Sequence, residues 1–549
     1  MIMRTFKLVF SIVFFVVIIS GSCSTEKENN ELGLTVFRYN ESKGITTLDP
    51  AHARNQTIIW PVSQIFNGLV QLDDSLKVIP AIAHSWDILE GGTQFIFHLR
   101  KDVKFHSSQL FADSIRFVTA HDFVYSFNRI LDPSVASPGS WVFEYLDRTK
   151  KYTAIDDTTL SIKLAKPFPP FLSILAMPYC SVVPHEVIEE PDYDFAHQPI
   201  GTGPFLFKHW STDEKLILRK NNNYFEKDSA GISLPYLDAV SISFIKDKQS
   251  EFLEFLNGNL DFLSGVHPAY KDELLTRSGG LNPKYEEEFI LITQPYLNTE
   301  YLGIQLSAGT EEEDNPLLNL KVRQAINYGF DRKKMMMYLR NNLGYPATAG
   351  MIPLGLPGHI SDTSGYYFDA DRARSLLEEA GYPGGVGLET IKLTTTSDYL
   401  DLCEFIQFEL GKIGMDIEIN VSTGASFRNM VANANLPFFR GSWIADYADA
   451  ENYLSLFLSK NHTPEGPNYT HFSSPTFDSL YIMSVECTDT DIRNEIYSRM
   501  DKLVMEEAPV VPLFYDMVVR FVPDYILGFK PNPMNNLVLK YVRIDALER

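Results

Sequence analysis

The segment "TIKLTTTSDYLDLCEFIQFELGKIGMDIEINV", residues 390–421, indicates the fold class of the C-terminal half. Its two ends, "TIKLTTTS" and "MDIEINV", predict short strands, and the middle, "DYLDLCEFIQFELGKIG", predicts a helix. A strand–helix–strand order favours parallel pairing of the two strands, with the helix as the crossover. We therefore expect an α/β sheet in this half of the chain.

The surrounding sequence extends this prediction. "NLKVRQAINYGFDRKKMMMYL" predicts one long amphipathic helix, and "DADRARSLLEEAGYPGG" a second helix closed by Gly381 and Pro383. Nearer the N-terminus, short strands alternate with turns, and "TAHDFVYSFNRIL" predicts a helix with Thr119 as its N-cap. Neither an internal repeat nor a low-complexity linker is visible, so the chain should pass between its domains through ordered segments.

Length and composition limit the possible classes of protein. The chain has 549 residues, which is too many for one hydrophobic core, so two or three domains are expected. A hydrophobic fraction of 45% and a charged fraction of 21% are typical of a folded globular protein. The net charge of −22 repels phosphates, which argues against nucleic-acid binding.

The N-terminus has the pattern of an export signal. Arg4 and Lys7 precede the apolar run "LVFSIVFFVVII", which is short for a membrane span. The small residues of "SGSC" end at Cys23, and a polar segment follows. This predicts a lipoprotein signal peptide over residues 1–22, a lipid on Cys23 and a tether over residues 23–33. Ser20 departs from the usual aliphatic residue, and a plain secretory signal is the alternative.

The other cysteines are Cys180, Cys403 and Cys487. They are odd in number and far apart in sequence, so they do not predict a disulfide framework. Buried, small hydrophobic side chains are the simpler interpretation.

The usual catalytic motifs are missing from the sequence. It has no G-x-S-x-G elbow, P-loop, C-x-x-C or calcium loop, and "HEVIE" at His185 ends in Glu189 where a zinc protease needs His. A glycosidase pair of carboxylates stays possible among 70 acidic residues. We predict no enzyme activity, no catalytic residue, no metal site and no cofactor.

Three acids follow a predicted strand in "LPFFRGSWIADYADAENYLSLFL": Asp446, Asp449 and Glu451. A carboxylate at the end of a strand lies where an α/β lobe opens to a crevice, which makes Asp446 the candidate binding residue. Asp449 precedes the predicted helix "AENYLSLFL" and should cap it, and Glu451 falls in the first helical turn, where negative charge is favourable. The alternative for Asp446 is a structural hydrogen-bond acceptor.

Six stretches occur in an order that resembles one protein family. They are "AIAHSWDILEGGTQFIFHLRKDVKFH", "TAHDFVYSFNRILDP", "PIGTGPFLFKHW", "NLKVRQAINYGFDRKKM", "RARSLLEEAGYPGG" and "RGSWIADYADAENYL". Together they resemble the family-5 extracellular solute-binding proteins of ABC importers, the oligopeptide and dipeptide binders. The resemblance begins near Leu34 and covers nearly the whole mature chain. The loop "HSSQLFADSIRFV" is longer than the short turn that the family usually has there.

The resemblance implies a fold and a division into domains. The fold class is α/β and periplasmic-binding-protein-like, with two lobes, a hinge and an extra α/β subdomain inserted in the first lobe. The implied boundaries are residues 34–70, 191–297 and 515–549 for the first lobe, 71–190 for the inserted subdomain and 298–514 for the second lobe.

The resemblance also implies site residues. Asp446 matches the Asp that binds the free α-ammonium of a peptide in relatives, and the backbone of residues 440–444 would pair with an extended ligand. In this segment Gly441 would let the ligand approach closely. Trp443 would line a side-chain pocket or belong to the core, and Arg440 would meet the ligand carboxylate or form a structural ion pair. The complete expected ligand-binding set is Asp446, Arg440, Gly441, Trp443, Ile444, Tyr301, Tyr296, Arg54, Asn55 and Gln56.

We therefore expect a lipid-anchored, monomeric binding protein on the periplasmic side of a membrane in the cell envelope, which delivers peptides to an ABC permease. It would contact the membrane only through its anchor. Leu400 stands where some oligopeptide binders have a basic residue for the peptide C-terminus, so peptide length stays open. The alternatives are a binder of another solute such as a nickel chelate or a glycan, a lipoprotein hydrolase, and a peptide sensor without a permease.

Overall fold

The computed structural model of the chain describes residues 33–265, 267, 270–307, 315–361 and 365–545. The predicted signal peptide and Cys23 lie outside the described residues. Over the described ranges, we find no helix with the length and apolar character needed to cross a membrane.

The strands form three main sheets and two short pairs. In chain order they are β1 Val36–Asn40, β2 Val70–Leu72, β3 Val78–Pro80, β4 Ala83–Leu89, β5 Gln94–Leu99, β6 Tyr152–Asp156, β7 Thr159–Lys163, β8 Phe205–Ser211, β9 Lys215–Lys220, β10 Ala239–Ser243, β11 Leu263–Ser264, β12 Phe289–Ile304, β13 Tyr345–Pro346, β14 Ile391–Thr395, β15 Ile417–Val421, β16 Phe438–Ile444, β17 Val510–Pro523, β18 Ile526–Leu527 and β19 Arg543–Ile544.

The α-helices lie mostly in the C-terminal half. In chain order they are α1 Gln56–Ile65, α2 Ala120–Leu131, α3 Phe171–Ile174, α4 His185–Ile188, α5 Lys248–Leu256, α6 Lys271–Leu274, α7 Leu320–Tyr328, α8 Arg332–Arg340, α9 Ala370–Glu379, α10 Leu400–Gly411, α11 Gly424–Ala432, α12 Glu451–Leu454, α13 Pro475–Glu486 and α14 Thr490–Glu507.

Two four-stranded sheets share the first hydrophobic core. Sheet A has the order β1-β10-β9-β8, and sheet B has the order β4-β5-β7-β6. Side chains of both sheets, such as Phe37 and Phe97, belong to one buried cluster. Sheet B lies within the sequence predicted for the inserted subdomain. We call sheets A and B with their helices the first lobe.

Sheet C has the order β11-β17-β12-β16-β14-β15, with β13 paired to β17. Strands β14 and β15 pair in parallel from Ile391↔Ile417 to Thr395↔Val421, and α10 is the crossover between them, so the strand–helix–strand prediction is confirmed. We call strands β13 to β16 with helices α7 to α14 the second lobe. Its cores lie on the two faces of sheet C.

The connection between the lobes runs through two long strands. β12 and β17 pair antiparallel from Phe289↔Pro523 to Gly303↔Val510, and their register shifts between Pro295 and Thr299. At this irregularity the Leu297 N–H donates to the Pro533 carbonyl oxygen (2.9 Å), and the Leu297 carbonyl accepts from Ala445 (2.9 Å). The predicted boundaries near residues 297 and 515 therefore fall inside continuous strands, and they stay predictions.

Local structure corrects some of the helix predictions. The predicted long helix after Asn319 is two helices, because α7 ends at Tyr328 and the Asp331 carboxylate caps α8 by accepting from the Lys333 (2.9 Å) and Lys334 (3.2 Å) N–H groups. The predicted helix "AENYLSLFL" is shorter, since α12 gives way to a 3₁₀ turn over Ser455–Phe457.

Two other predictions of local structure are confirmed. α2 begins at the predicted Thr119, whose N–H donates to the Asp122 carboxylate (2.7 Å) in a capping box. The helix predicted to close at Gly381 ends there, where the glycine adopts a φ of 94°.

Candidate functional site

The main cavity near the predicted site lies between the two lobes and has a volume of about 890 Å³. The first lobe contributes residues around Trp141 and Phe168, and the second lobe contributes the segment after β16, the loop before α13 and α13 itself. Aromatic rings and carboxylates dominate the walls. They include Trp141, Glu144, Tyr145, Phe168, Trp443, Asp446, Tyr447, Glu451, Glu465 and Tyr481.

Strand β16 leads into this cavity with one edge largely unpaired. On one side it pairs with β12 from Asn298↔Ile444 to Ile304↔Phe438. On the other side β14 reaches it only at Thr394↔Phe439. Because hydrogen bonding alternates along an antiparallel strand and the Ala445 N–H faces β12, the backbone groups of Ser442 and Ile444 face the unpaired edge. This edge can accept an added strand.

Asp446 lies two residues beyond the end of β16, on the cavity wall. Solvent reaches its carboxylate, but protein surrounds it on most sides. This desolvation raises the pKa of Asp446 above its usual value, while a hydrogen bond from the Asn452 side chain lowers it. No lysine or arginine of the described residues forms an ion pair with it. The carboxylate is therefore available to a cation.

Asp449 and Glu451 have other partners. The Asp449 carboxylate accepts from the Glu451 N–H (2.9 Å) at the start of α12, which confirms its predicted capping contact. Glu451 is only 1% exposed, and the hydroxyl groups of Tyr447 and Tyr481 donate to its two oxygens. Desolvation raises the pKa of Glu451 to about 7, although both tyrosine hydrogen bonds act to lower it. The sequence missed this burial, because Tyr481 lies 30 residues further along the chain.

Trp443 and Ile444 both border the ligand edge. The Trp443 indole N–H donates to the Asn452 Oδ1 (2.9 Å), and the half-buried ring lines the cavity while also packing on the core. Both sequence interpretations of Trp443 therefore hold in part. Ile444 is 48% exposed, which leaves its side chain free to contact a ligand.

Arg440 has the environment of a structural ion pair. Its guanidinium pairs with the buried Glu300 carboxylate and lies 3.1 Å from the centre of the Tyr399 ring. Its Nε atom is buried without a hydrogen-bond partner among the described residues. Of the two predicted roles, this geometry favours the internal pair over a salt bridge to a ligand carboxylate.

The predicted role of Gly441 is wrong. A Cβ at this position would lie 2.6 Å from the Tyr301 Cζ atom, so the tyrosine ring fills the space that the sequence assigned to the ligand. Tyr301 is opposite Gly441 in the strand pair and is only 4% exposed. Gly303 and Phe439 repeat the arrangement two pairs further along, with a glycine opposite a ring. Glycine is therefore required here for cross-strand packing.

The predicted first-lobe residues lie around the start of α1. The Asn55 side chain caps this helix by accepting from the Ile58 N–H (3.3 Å). Gln56 donates to the Asn535 carbonyl oxygen (3.3 Å). Burial raises the pKa of the neighbouring Tyr296 hydroxyl to about 12, and Asn535 and Gln56 oppose this increase. These contacts hold Asn55, Gln56 and Tyr296 in place.

Arg54 and Asp446 both influence the hydroxyl of Tyr179. Burial raises the pKa of Tyr179 to about 12; the Asp446 carboxylate adds to this increase, and the Arg54 guanidinium opposes it. Both charges therefore lie near this one hydroxyl, although Arg54 belongs to the first lobe and Asp446 to the second. The sequence missed Tyr179, and no local motif would have identified it.

Metal binding has no support in the described part of the chain, where no group of three or more His, Cys, Asp or Glu side chains could hold an ion. Cys180 and Cys403 are buried free thiols, and Cys487 is half-buried and also free. The site offers a carboxylate, aromatic walls and an unpaired strand edge, which together can bind a cationic, hydrogen-bonding ligand.

Two α/β lobes that enclose a cavity at their junction define a periplasmic-type binding protein, and solved structures of this class confirm the predicted fold. Residues 77–465 match the model of the bacterial extracellular solute-binding proteins, family 5 (middle), and the chain belongs to this family. It is a substrate-binding protein of the ABC-transporter type for peptides or related solutes, and it is not an enzyme.

Three similar proteins illustrate the range of ligands in this family. Heme-binding protein A of Haemophilus influenzae is 26% identical over 502 residues, which cover 88% of this chain and 87% of the relative. The periplasmic oligopeptide-binding protein OppA of Escherichia coli is 26% identical over 527 residues, 91% of each chain. The structure of DppA from Helicobacter pylori with the peptide STSA has a TM-score of 0.74 at 26% identity and covers 93% of this chain and 98% of that one.

Proposed function

We propose that this protein binds extended peptides through their free α-amino group in the cleft between the lobes and delivers them to an ABC permease. The observation that supports this proposal most directly is the position of Asp446. Its unpaired carboxylate follows immediately after the strand whose edge is open for pairing. The amino terminus of an extended peptide would contact the Asp446 carboxylate while the peptide backbone pairs with the open edge of β16.

The chemistry of the two groups favours a peptide over another solute. An unmodified peptide always carries an ammonium group, and a cation in a desolvated cleft needs a counter-charge. The desolvation that raises the pKa of Asp446 makes its ionised form costly without a ligand, so a bound ammonium would stabilise it. Backbone pairing along β16 gives affinity without selecting side chains. Nickel chelates, heme and glycans have no ammonium for Asp446 to balance.

The two lobes carry charges of opposite sign near Tyr179. Arg54 is exposed on the first lobe near Tyr179, and Asp446 is on the second lobe near the same hydroxyl. We expect lobe closure around a peptide to bring the two walls together.

The anchoring and the partner are part of the same proposal. The "SGSC" pattern ending at Cys23 supports a lipidated protein held on the periplasmic side of a membrane. An ABC permease is the partner that family membership implies. OppA and DppA, as their names indicate, bind peptides, and heme-binding protein A binds a different solute. Mass spectrometry of ligands released from the purified protein would distinguish these two outcomes directly.

The decisive experiment compares free and N-acetylated peptides. Acetylation removes the ammonium charge, and Asp446→Asn removes its counter-charge at nearly constant shape. Breaking a buried charge pair from one side typically costs about 2–5 kcal/mol, or roughly 30- to 4,000-fold in affinity. We expect each change alone to produce a loss in this range by calorimetry. Acetylation of the peptide should reduce its affinity for Asp446→Asn much less than its affinity for wild type, because the two changes break one shared interaction.

Asp449→Asn is the matched control. Asn can still accept the Glu451 N–H and cap α12, so the affinity for free peptide should hardly change. Equal affinity of wild type for free and acetylated peptides would reject the ammonium contact and with it the peptide proposal.

A further inference from the structure

One buried amide contacts both ligand-site residues at the end of β16. Asn452 is 4% exposed, and its Oδ1 accepts from the Trp443 indole N–H (2.9 Å) and from the Asp446 backbone N–H (3.1 Å). Its side chain also lies near the Asp446 carboxylate and lowers its pKa, against the larger increase caused by desolvation. A side-chain amide has two acceptor positions and two donor hydrogens. The oxygen is therefore fully used, and the NH₂ group is the part of the amide that can stabilise the neighbouring carboxylate.

The position of Asn452 is itself fixed. It is the second residue of α12, and its N–H donates to the Asp449 carbonyl oxygen (3.2 Å). The Ser455 Oγ donates to the Asn452 carbonyl oxygen (3.1 Å). The amide thus projects from a capped helical turn, and its orientation does not depend on the ligand.

We propose that Asn452 is a positioning residue for ligand recognition: it orients the Asp446 carboxylate toward the cavity and holds the Trp443 ring as the neighbouring wall. This inference rests on the proposed function, because it takes the peptide ammonium as the group that Asp446 meets. Asn452 would then determine how strongly the protein distinguishes a free amino terminus from a blocked one.

Asn452 should raise the affinity because a carboxylate that rotates freely has to be ordered when the ligand binds, which costs binding free energy. Without the amide, the Asp446 backbone N–H and the Trp443 indole N–H lose their shared acceptor, so the ordering of both side chains has to occur on binding. The ionised form of Asp446 would also lose the stabilisation that the Asn452 side chain gives it. The pKa of Asp446, already raised by desolvation, would rise further.

The test uses wild type, Asn452→Ala and Asn452→Leu with tri- to penta-alanine and the N-acetylated forms of the same peptides. Leu has the same number and branching of side-chain heavy atoms as Asn, so this variant removes the hydrogen bonds without leaving a cavity. We expect the loss of affinity caused by acetylation to shrink by about tenfold or more in both variants, as for the loss of a hydrogen bond to a charged group. The pH below which affinity for free peptide falls should move upward.

The control is Asn468, a buried asparagine of the same lobe that is not among the residues lining the cavity. The Asn468 amide donates to the Leu458 (3.1 Å) and Phe472 (2.9 Å) carbonyl oxygens. Asn468→Ala should lower thermal stability but leave both the acetylation effect and the pH midpoint unchanged. A structural role alone would make the Asn452 variants behave in the same way.

The outcomes separate the two proposals. If wild type discriminates against acetylated peptides and the Asn452 variants discriminate equally with the same pH midpoint, the inference about Asn452 is wrong and the proposed function survives. If wild type does not discriminate, the ammonium contact fails first, and the role of Asn452 fails with it.

Discussion

The buried carboxylate of Glu451 predicts an unusual pH dependence of stability. In the folded protein, desolvation raises its pKa to about 7, compared with an ordinary value of 4.5. The folded state therefore binds a proton at this position more tightly than the unfolded state does. The stability from Glu451 is fully present below pH 4.5 and is lost as pH rises through 7.

The magnitude follows from the difference between the two pKa values. A difference of about 2.5 units corresponds to roughly 3 kcal/mol, since one unit is about 1.4 kcal/mol. Glu451 is 1% exposed, so solvent does little to reduce this figure. Glu451→Gln removes the titration and keeps a side chain of the same shape to meet Tyr447 and Tyr481.

The assay is urea unfolding of wild type and Glu451→Gln at a series of pH values from 4 to 8. The difference in the free energy of unfolding between wild type and variant should change by about 3 kcal/mol over this range. Wild type should become less stable relative to the variant as pH rises. Subtracting the variant removes the contribution of other buried acids, such as Asp501, whose pKa burial also raises to about 7.

The control for this assay is Glu465→Gln, which changes an exposed carboxylate on the same cavity wall. It should leave the pH dependence as in wild type, because the charge is solvated in both states. A stability difference between wild type and Glu451→Gln that is the same at pH 4 and at pH 8 would refute the argument from burial.

Three further predictions concern packing, motion and anchoring. Gly441→Ala should destabilise the protein by about 1–3 kcal/mol in urea unfolding, because the new Cβ would lie 2.6 Å from the buried Tyr301 ring. The control Gly411→Ala, whose Cβ would have no atom within 4 Å, should be neutral or slightly stabilising. A Gly441→Ala variant that is stable but binds peptide weakly would show that the ligand, and not the Tyr301 ring, needs this space. Small-angle scattering should show compaction when peptide binds, and identical profiles with peptide bound would argue against lobe closure. Wild type should fractionate with membranes, and Cys23→Ser should be unprocessed or released; unchanged lipid labelling of Cys23→Ser would contradict the anchor.

The parts of the fold that the sequence predicted are those determined by local patterns. The crossover between β14 and β15, the cap at Thr119 and the helix end at Gly381 each depend on residues within one or two turns of chain. The long helix after Asn319 was wrong for a related reason. Its apolar spacing continues across Gly329, and only the cap contacts of Asp331 reveal the break.

The site was harder to predict, because its residues acquire their roles from distant partners. Gly441 was assigned to the ligand, but the ring of Tyr301, 140 positions earlier in sequence, fills that space. Arg440 pairs with Glu300 across the same two strands. A single sequence contains the strand ends but not the identity of the side chain opposite each residue, and here that identity decides whether a polar group faces the ligand or the core.

The three acids after β16 show how the surroundings separate chemically identical groups. Asp446 has to be ionised to bind an ammonium, and its side chain remains accessible with the Asn452 amide beside it. Glu451, five residues later, is enclosed by two tyrosine hydroxyls and is more stable with a proton. Tyr447 contacts both environments, since its hydroxyl bonds to Glu451 while its ring lies 6.0 Å from Trp141 of the first lobe. Opening the cleft would hydrate Tyr447 and Glu451 together and lower the pKa of Glu451, so acid should favour the closed form until Asp446 itself loses its charge.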